Sequence, residues 1–318
     1  MRYHVSLLQL YNAKSFGNKK LGEFLMRLNS EGRSLEEIIT SPKEELIESY
    51  NLNPSVIESI NSSFEESEQL YNILCENDIK ILVRGQRDYP VILEERLKNN
   101  APVILFAKGN LGILDLKSIS ISGSRKASEE GLLYARELSK IVAKKNINLV
   151  GGYAQGIDIE SHASALMNGG VTTLVLAEGI LKFQMKGDFY EFLDDDNILI
   201  LSEFPPNLPW TGHNAMKRNS MICGLANSML VVEAAEKSGS LSAGNTALNL
   251  NVPLFVINPT DYSNVPEGNS VLLKNGGHSV NVDSDGIPNL DQILESIENP
   301  DKFIAKGITQ LDMKLPLL

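Results

Sequence analysis

From residue 118 onward, short apolar runs recur along the chain and each closes on a turn or loop. Ser118-Ile119-Ser120-Ile121-Ser122 leads to Gly123-Ser124-Arg125, and Ile147-Asn148-Leu149-Val150 leads to Gly151-Gly152. The run 171–177 ends at Glu178-Gly179, 198–202 enters a proline-rich loop, 229–233 leads to Ser238-Gly239-Ser240, and 254–257 ends at Asn258-Pro259. Stretches with helical spacing lie between them; Leu132, Ala135, Leu138 and Val142 make one apolar stripe. Six short apolar strands alternating with helices predict an α/β fold, Rossmann-like, with a doubly wound and mostly parallel sheet.

The chain before this region has another texture. To about residue 73 it reads as short helices: Ser34 to Ile39 ends at Thr40, Ser41-Pro42-Lys43-Glu44-Glu45-Leu46 opens a second, and Asn53-Pro54 restarts a helix running through Ile60 and Phe64 towards Leu70. Residues 74–117 are transitional, with strand-like runs at 79–83 and 103–107. The expected organisation is a small helical N-terminal domain over 1–73, of the SAM or helix-hairpin-helix kind, and a Rossmann-like domain over 74–285. A tail over 286–318 carries one helix near Asp291 to Ile297.

Composition narrows the function classes. Two cysteines in 318 residues, Cys75 and Cys223, make neither a disulfide framework nor a metal signature and are expected as buried, reduced thiols. The polar start is no secretory leader and no apolar run is long enough to span a bilayer, so a cytoplasmic protein without a membrane partner is expected. A net charge of −11 argues against indiscriminate nucleic-acid binding, where Lys and Arg must neutralise phosphate. Any such contacts have to be concentrated in one place.

That place is the carboxyl edge of the sheet, where Gly123, Gly151-Gly152 with Gly156, Gly179 and Gly239 fall. Glycine allows close backbone approach, and each following helix start offers free N–H groups to an anion. The turns do not form G-x-G-x-x-G and no acid stands ready for a ribose, so a nicotinamide cofactor is not supported and none other is expected. Arg125 sits against the preference of a helix start, and Lys217-Arg218-Asn219 is a compact basic cluster near the same edge. Asp158 and His162, four apart, are in bonding reach on one helix face and read as a structural bond, with no nucleophile placed to make them catalytic. Histidines 4, 162, 213 and 278 lack ligand spacing, so no metal is expected.

Ser122-Gly123-Ser124-Arg125-Lys126-Ala127-Ser128 resembles the G-S-R-x-x-S opening of the DprA/Smf family, and 151–163, GGYAQGIDIESHA, is similar to its S-G-x-A-x-G-I-D-x-x-A-H signature. Gly169-Gly170-Val171-Thr172, Leu201 to Pro205, Arg218-Asn219, Val231 to Ala234, Ser238 to Leu241, and Gly268-Asn269 with Gly276-Gly277 follow in that family's order over about residues 75–280. The resemblance implies a dimerising protein that binds single-stranded DNA and helps load a RecA-type recombinase during DNA uptake and recombination, without catalysis. The expected DNA- and phosphate-binding residues are Gly123, Ser124, Arg125, Gly152, Gln155, Gly156, Lys182, Lys217, Arg218, Asn219, Ser238, Gly239 and Ser240. Phe183 and Lys186 could add stacking and charge.

The departures from the family pattern reduce positive charge: Gln155 stands where Arg is common, and Ser220 replaces the second Arg of R-N-R. The tail is too short for the winged helix some members carry. Two further readings follow from the superfamily: a sensor of a nucleotide-derived signal in phage defence, and a nucleotide phosphoribohydrolase. The hydrolase needs a carboxylate that 238–246 does not contain.

Overall fold

The alternation of serine and isoleucine over 118–122 serves two different faces of a sheet, since successive side chains of a strand point opposite ways. The computed structural model describes residues 1–13, 16–185, 194, 196–258, 265–282 and 288–304. Two compact units appear in it, Met1–Tyr89 with Asn99–Lys108, and Pro90–Lys98 with Gly109–Leu318.

The first unit holds α1 (Arg2–Asn12), α2 (Asn18–Glu31), α3 (Leu35–Ile39), α4 (Lys43–Glu48), α5 (Pro54–Ser62) and α6 (Phe64–Glu76), with the antiparallel strands β1 (Lys80–Val83) and β2 (Ile104–Gly109). Helix α1 buries Val5, Leu7, Leu8 and Leu10, and Tyr11 meets the Phe106 ring edge-on at 5.9 Å. The Asn18 side chain donates to the Ala101 carbonyl (3.1 Å) and accepts from the Val103 N–H (2.7 Å). The compact unit takes in these two strands together with the six helices.

The single helix expected from Asn53 towards Leu70 is two, α5 and α6, parted at Ser63. Asn61-Ser62-Ser63 supplies short polar side chains that compete for backbone partners, and the Ser63 hydroxyl donates back to the Ile60 carbonyl (3.3 Å). Cys75, expected to be buried, is exposed on α6, whereas Cys223 is buried as expected.

The second unit opens with α7 (Val91–Leu97) and continues as β3 (Ser118–Ser122), α8 (Glu129–Lys144), β4 (Asn148–Gly151), α9 (Ile157–Met167), β5 (Thr172–Val175) and β6 (Ile198–Ser202). It ends with α10 (Gly212–Leu225), β7 (Ser228–Val231), α11 (Gly239–Asn249), β8 (Leu254–Asn258), α12 (Glu267–Lys274), β9 (His278–Asn281) and α13 (Asp291–Glu298). Its strands lie parallel in the order β6-β5-β4-β3-β7-β8-β9. The chain winds outward from β3 in one direction and from β7 in the other, so the switch point, where such folds bind ligands, lies between their carboxyl ends.

Helices cover both faces. Ile119 and Ile121 pack with Leu138 and Val142 of α8, Ala165 of α9 and Ile293 of α13. Met229 and Val231 pack on the other face with Cys223 of α10, Ala247 of α11 and Leu272 of α12. The serines of β3 face α10, and the Ser118 hydroxyl donates to the Leu225 carbonyl (2.8 Å). Strand β9 was not expected, because only Val280 of its four residues is buried and an edge strand needs little apolar content.

Helix α7 docks on the far end of α10. Leu93 occupies the space a side chain at Gly224 would need (2.6 Å to a placed Cβ), and Arg96 donates to the carbonyls of Cys223, Gly224 and Ala226. Those carbonyls have no partner within the helix, and the guanidinium satisfies them.

Candidate nucleic-acid interface

The carboxyl ends of β3 and β7 and the starts of α10 and α11 enclose a pocket of about 540 Å³. Of the expected residues it gathers Gly123, Ser124, Arg125, Arg218, Asn219, Ser238, Gly239 and Ser240; Lys126, Asp158, Trp210 and Met216 also line it.

Backbone geometry holds the Gly-Ser-Arg turn. A Cβ at Gly123 would lie inside the Ile157 side chain. The Gly123 carbonyl accepts from the Ser240 hydroxyl (2.7 Å), which ties the turn to the start of α11. Gly156 has φ +87°, and a Cβ there would stand 2.2 Å from the Ser124 carbonyl oxygen and 2.9 Å from the Arg125 backbone, so no side chain fits. Ser124 accepts from the Lys126 N–H (3.1 Å), leaving Arg125 exposed at the tip.

The Arg125 guanidinium lies 5.9 Å from the centre of the half-exposed Trp210 ring, a cation over an aromatic face. Among the described residues no carboxylate comes within ion-pair distance of Arg125. Trp210 escaped the sequence reading. The available signal was a lone tryptophan two residues before the glycine that opens a helix. Thr211 caps α10 by accepting from the Asn214 N–H (3.1 Å), and Ser238 caps α11 by accepting from the Leu241 N–H (3.1 Å). Neither helix has an acidic residue in its first turn.

The expected basic cluster is divided. Lys217 pairs with Glu203 at 2.7 Å, sits 5.0 Å over the Phe204 ring, and does not line the pocket. Arg218 turns inward, 6% exposed, and donates through Nη1 to the Val175 carbonyl (2.9 Å). Its guanidinium occupies the space a side chain on Gly152 would need, and Nε has no partner among the described residues. Gly152 therefore makes room for a buried cation. Asn219 donates to the Gly239 carbonyl (3.4 Å), joining α10 to α11.

Gln155 and Lys182 are exposed and outside the pocket lining. Beside them Tyr153, in left-handed backbone conformation (φ +54°), meets Phe183 edge-to-face at 5.5 Å. Lys186 lies outside the described residues, as does the tail beyond residue 304.

The expected Asp158–His162 bond does not form. The Asp158 carboxylate instead accepts from the N–H groups of Gly152 (3.2 Å) and Ala154 (3.4 Å), holding the turn before α9. Burial raises its pKa, against the lowering charge of Arg218 and those two bonds. His162 Nδ1 contacts the Thr172 hydroxyl at 2.5 Å, and that hydroxyl donates onward to the Leu149 carbonyl (2.8 Å). The ring proton is therefore on Nδ1, and the buried Nε2 has no partner among the described residues. Complete burial, with help from Arg218, lowers the His162 pKa to about 3.

Because the folded value lies below that of the unfolded chain, the unfolded state binds the extra proton first. Stability from neutral His162 is complete above about pH 6.5 and falls by about 1.4 kcal/mol per unit as the pH drops towards 3. Urea unfolding at pH 7, 6 and 5 is expected to show that decline in the wild type and a shallower one in His162→Gln; parallel declines would refute it.

Burial pushes the Cys223 thiol up to about 12, which leaves it inert. Among the described residues no three His, Cys, Asp or Glu side chains gather as a metal site, and no helix is long and apolar enough to cross a membrane.

The family model for DNA recombination-mediator protein A matches residues 80–291. The DNA processing protein DprA of Streptococcus pneumoniae is 32% identical over 185 residues, 57% of this chain and 64% of that protein. Protein Smf of Escherichia coli is 30% identical over 217 residues, 68% of this chain and 58% of its own length. The chain thus spans about three fifths of the curated relatives it matches. The X-ray structure of DprA from S. pneumoniae superposes with a TM-score of 0.67 at 24% identity, covering 88% of this chain and 94% of that one. DNA processing protein A from Helicobacter pylori, a structure described for its single-stranded DNA binding mode, gives 0.56 at 23%, covering 71% and 97%. At those identities the structural likeness speaks for the fold. The motifs and the family match lie on the same stretch of chain, and this protein belongs to the DNA recombination-mediator protein A family.

Proposed function

We propose that the protein binds single-stranded DNA at the carboxyl rim of its parallel sheet and presents it to a RecA-type recombinase in DNA uptake and recombination. The observation that carries this reading is Arg125, exposed over Trp210 with no carboxylate within ion-pair distance among the described residues. A single strand offers phosphates alternating with unstacked bases, and a cation beside an aromatic face suits both. Lys126 and the acid-free starts of α10 and α11 extend that positive region. This is the concentrated contact that a chain of net charge −11 requires. The names of the bacterial relatives, which process DNA, and of the H. pylori protein, which binds single strands, support the same ligand.

In this reading the protein acts in the cytoplasm as a homodimer, without cofactor and without catalysis. Asp158 is the one carboxylate among the described residues of the pocket, and its Oδ2 accepts from two backbone N–H groups of the turn before α9, a structural role that disfavours the phosphoribohydrolase. Fluorescence anisotropy with labelled oligo-dT at several salt concentrations tests the proposal. The logarithm of the affinity should fall linearly with that of salt, by about 0.7 per phosphate neutralised. Absence of binding at low salt, with retention of a free nucleotide, would favour the signal sensor instead.

A further inference from the structure

Beside the pocket the carboxyl rim continues over β4 and β5, and there two aromatic rings stand together. Tyr153 lies two residues beyond the end of β4, next to Ala154, which lines the pocket. Its ring meets Phe183 edge-to-face at 5.5 Å; both side chains are half-buried, while Gln155 and Lys182 near them are exposed. Among the described residues no carboxylate pairs with Lys182. The backbone of Tyr153 is left-handed at φ +54°, which disfavours a bulky residue, although glycine stands at the two positions before it. Strain of this kind persists where a binding surface needs the side chain. The placement serves the ring rather than the turn.

Hydrogen bonds between two loops fix the reach from this pair to Trp210. The Gly179 N–H donates to the Leu208 carbonyl (2.8 Å) and the Leu181 N–H to the Pro206 carbonyl (3.0 Å), so the loop leading to Phe183 is bonded to the loop leading to Trp210. A Cβ on Gly179 would stand 2.1 Å from the Pro205 carbonyl oxygen, so the loops meet only because that side chain is missing. The strand order β5-β4-β3-β7 puts the gap between β4 and β5 two strand spacings, about 10 Å, from the β3–β7 switch point. Nearby nucleotides of one strand can span that distance.

We propose that the Tyr153–Phe183 pair is a second stacking platform for single-stranded DNA. It takes a base of the same strand that passes Arg125 and Trp210, with Lys182 at the adjoining phosphate. The strand then crosses the sheet from the β3–β7 switch point towards β5. The proposal deepens the reading of the rim as a DNA cradle and rests on it for the identity of the ligand.

Anisotropy and tryptophan emission with oligo-dT test it together. Phe183→Leu keeps the bulk but loses the π-face, and should weaken binding about fivefold or more. Its salt slope should match the wild type, because no phosphate contact is lost. Tyr153→Asn, whose new side chain tolerates the left-handed backbone, should lose a similar factor. Phe183→Trp in a Trp210→Phe background carries its one tryptophan on the platform, and saturating oligo-dT should quench the emission. Thermal melts identify the folded variants, and either single substitution suffices for the affinity arm. Affinity within about twofold of the wild type in the folded single variants overturns the proposal. So does unquenched emission from a sample that binds, since a weaker affinity without quenching reflects a disturbed loop. Wild-type binding reports separately on the DNA reading: binding alongside unaffected variants sinks the platform alone, and no binding sinks both.

Discussion

Arg125→Ala is expected to weaken oligo-dT binding by about 10- to 100-fold, the range for a charge-assisted contact to phosphate. The loss should be similar for every sequence tested, because phosphate contacts position a strand without reading it. The salt dependence should also become shallower by about 0.7, one phosphate fewer in the account. Lysine at the same position restores the charge but not the planar fork that lies over Trp210, so Arg125→Lys should recover only part of the affinity. Arg125→Ala with unchanged affinity and unchanged salt slope would remove this residue from the interface.

The largest effect on stability is expected from Arg218→Met. Methionine fills the volume but leaves the Val175 carbonyl without its donor and Asp158 without the buried cation that favours its charged form. The cost should be about 3 kcal/mol, a fall in Tm of roughly 10 °C. The sign of its pH dependence follows from burial. Asp158 already has a folded pKa above its unfolded value, and losing Arg218 raises it further. Such a group stabilises the fold at pH below the unfolded value and loses that stability as the pH rises through the folded one. The penalty of Arg218→Met should accordingly be smaller at pH 4.5 than at pH 8. Equal penalties would mean that Arg218 acts through packing and its carbonyl bond alone.

These two arginines show what the chain discloses before it folds. The position of Arg125 follows from local rules: a strand of known period, a glycine, and a helix capped at Ser128, three residues beyond Arg125, place it on the carboxyl rim. The fate of Arg218 does not, because it directly follows the exposed Lys217 and its burial depends on the missing side chain of Gly152, far away in the chain. Lys217 is diverted by Glu203 for the same kind of reason. The parallel sheet was legible because its strands are buried on both sides and read as continuous apolar runs. Strand β9 and the division at Ser63 were hidden by weak local preference, with one apolar residue in the first and none in the Asn61-Ser62-Ser63 junction. The spacing of Asp158 and His162 identified one helix face correctly, but both groups found closer partners off the helix in the backbone of the Gly152 turn and in Thr172.

The clasp of Arg96 on the last carbonyls of α10 bears on where this chain can be cut. A fragment starting at Gly109 would retain every parallel strand yet strand three acceptors at the end of the helix that carries Trp210's neighbour Thr211 at its other end. Fraying would then start remotely and travel along α10 to Asn219 and Arg218. Shortened versions intended to keep the rim intact have to begin upstream of Val91, even though nothing before that residue lines the pocket.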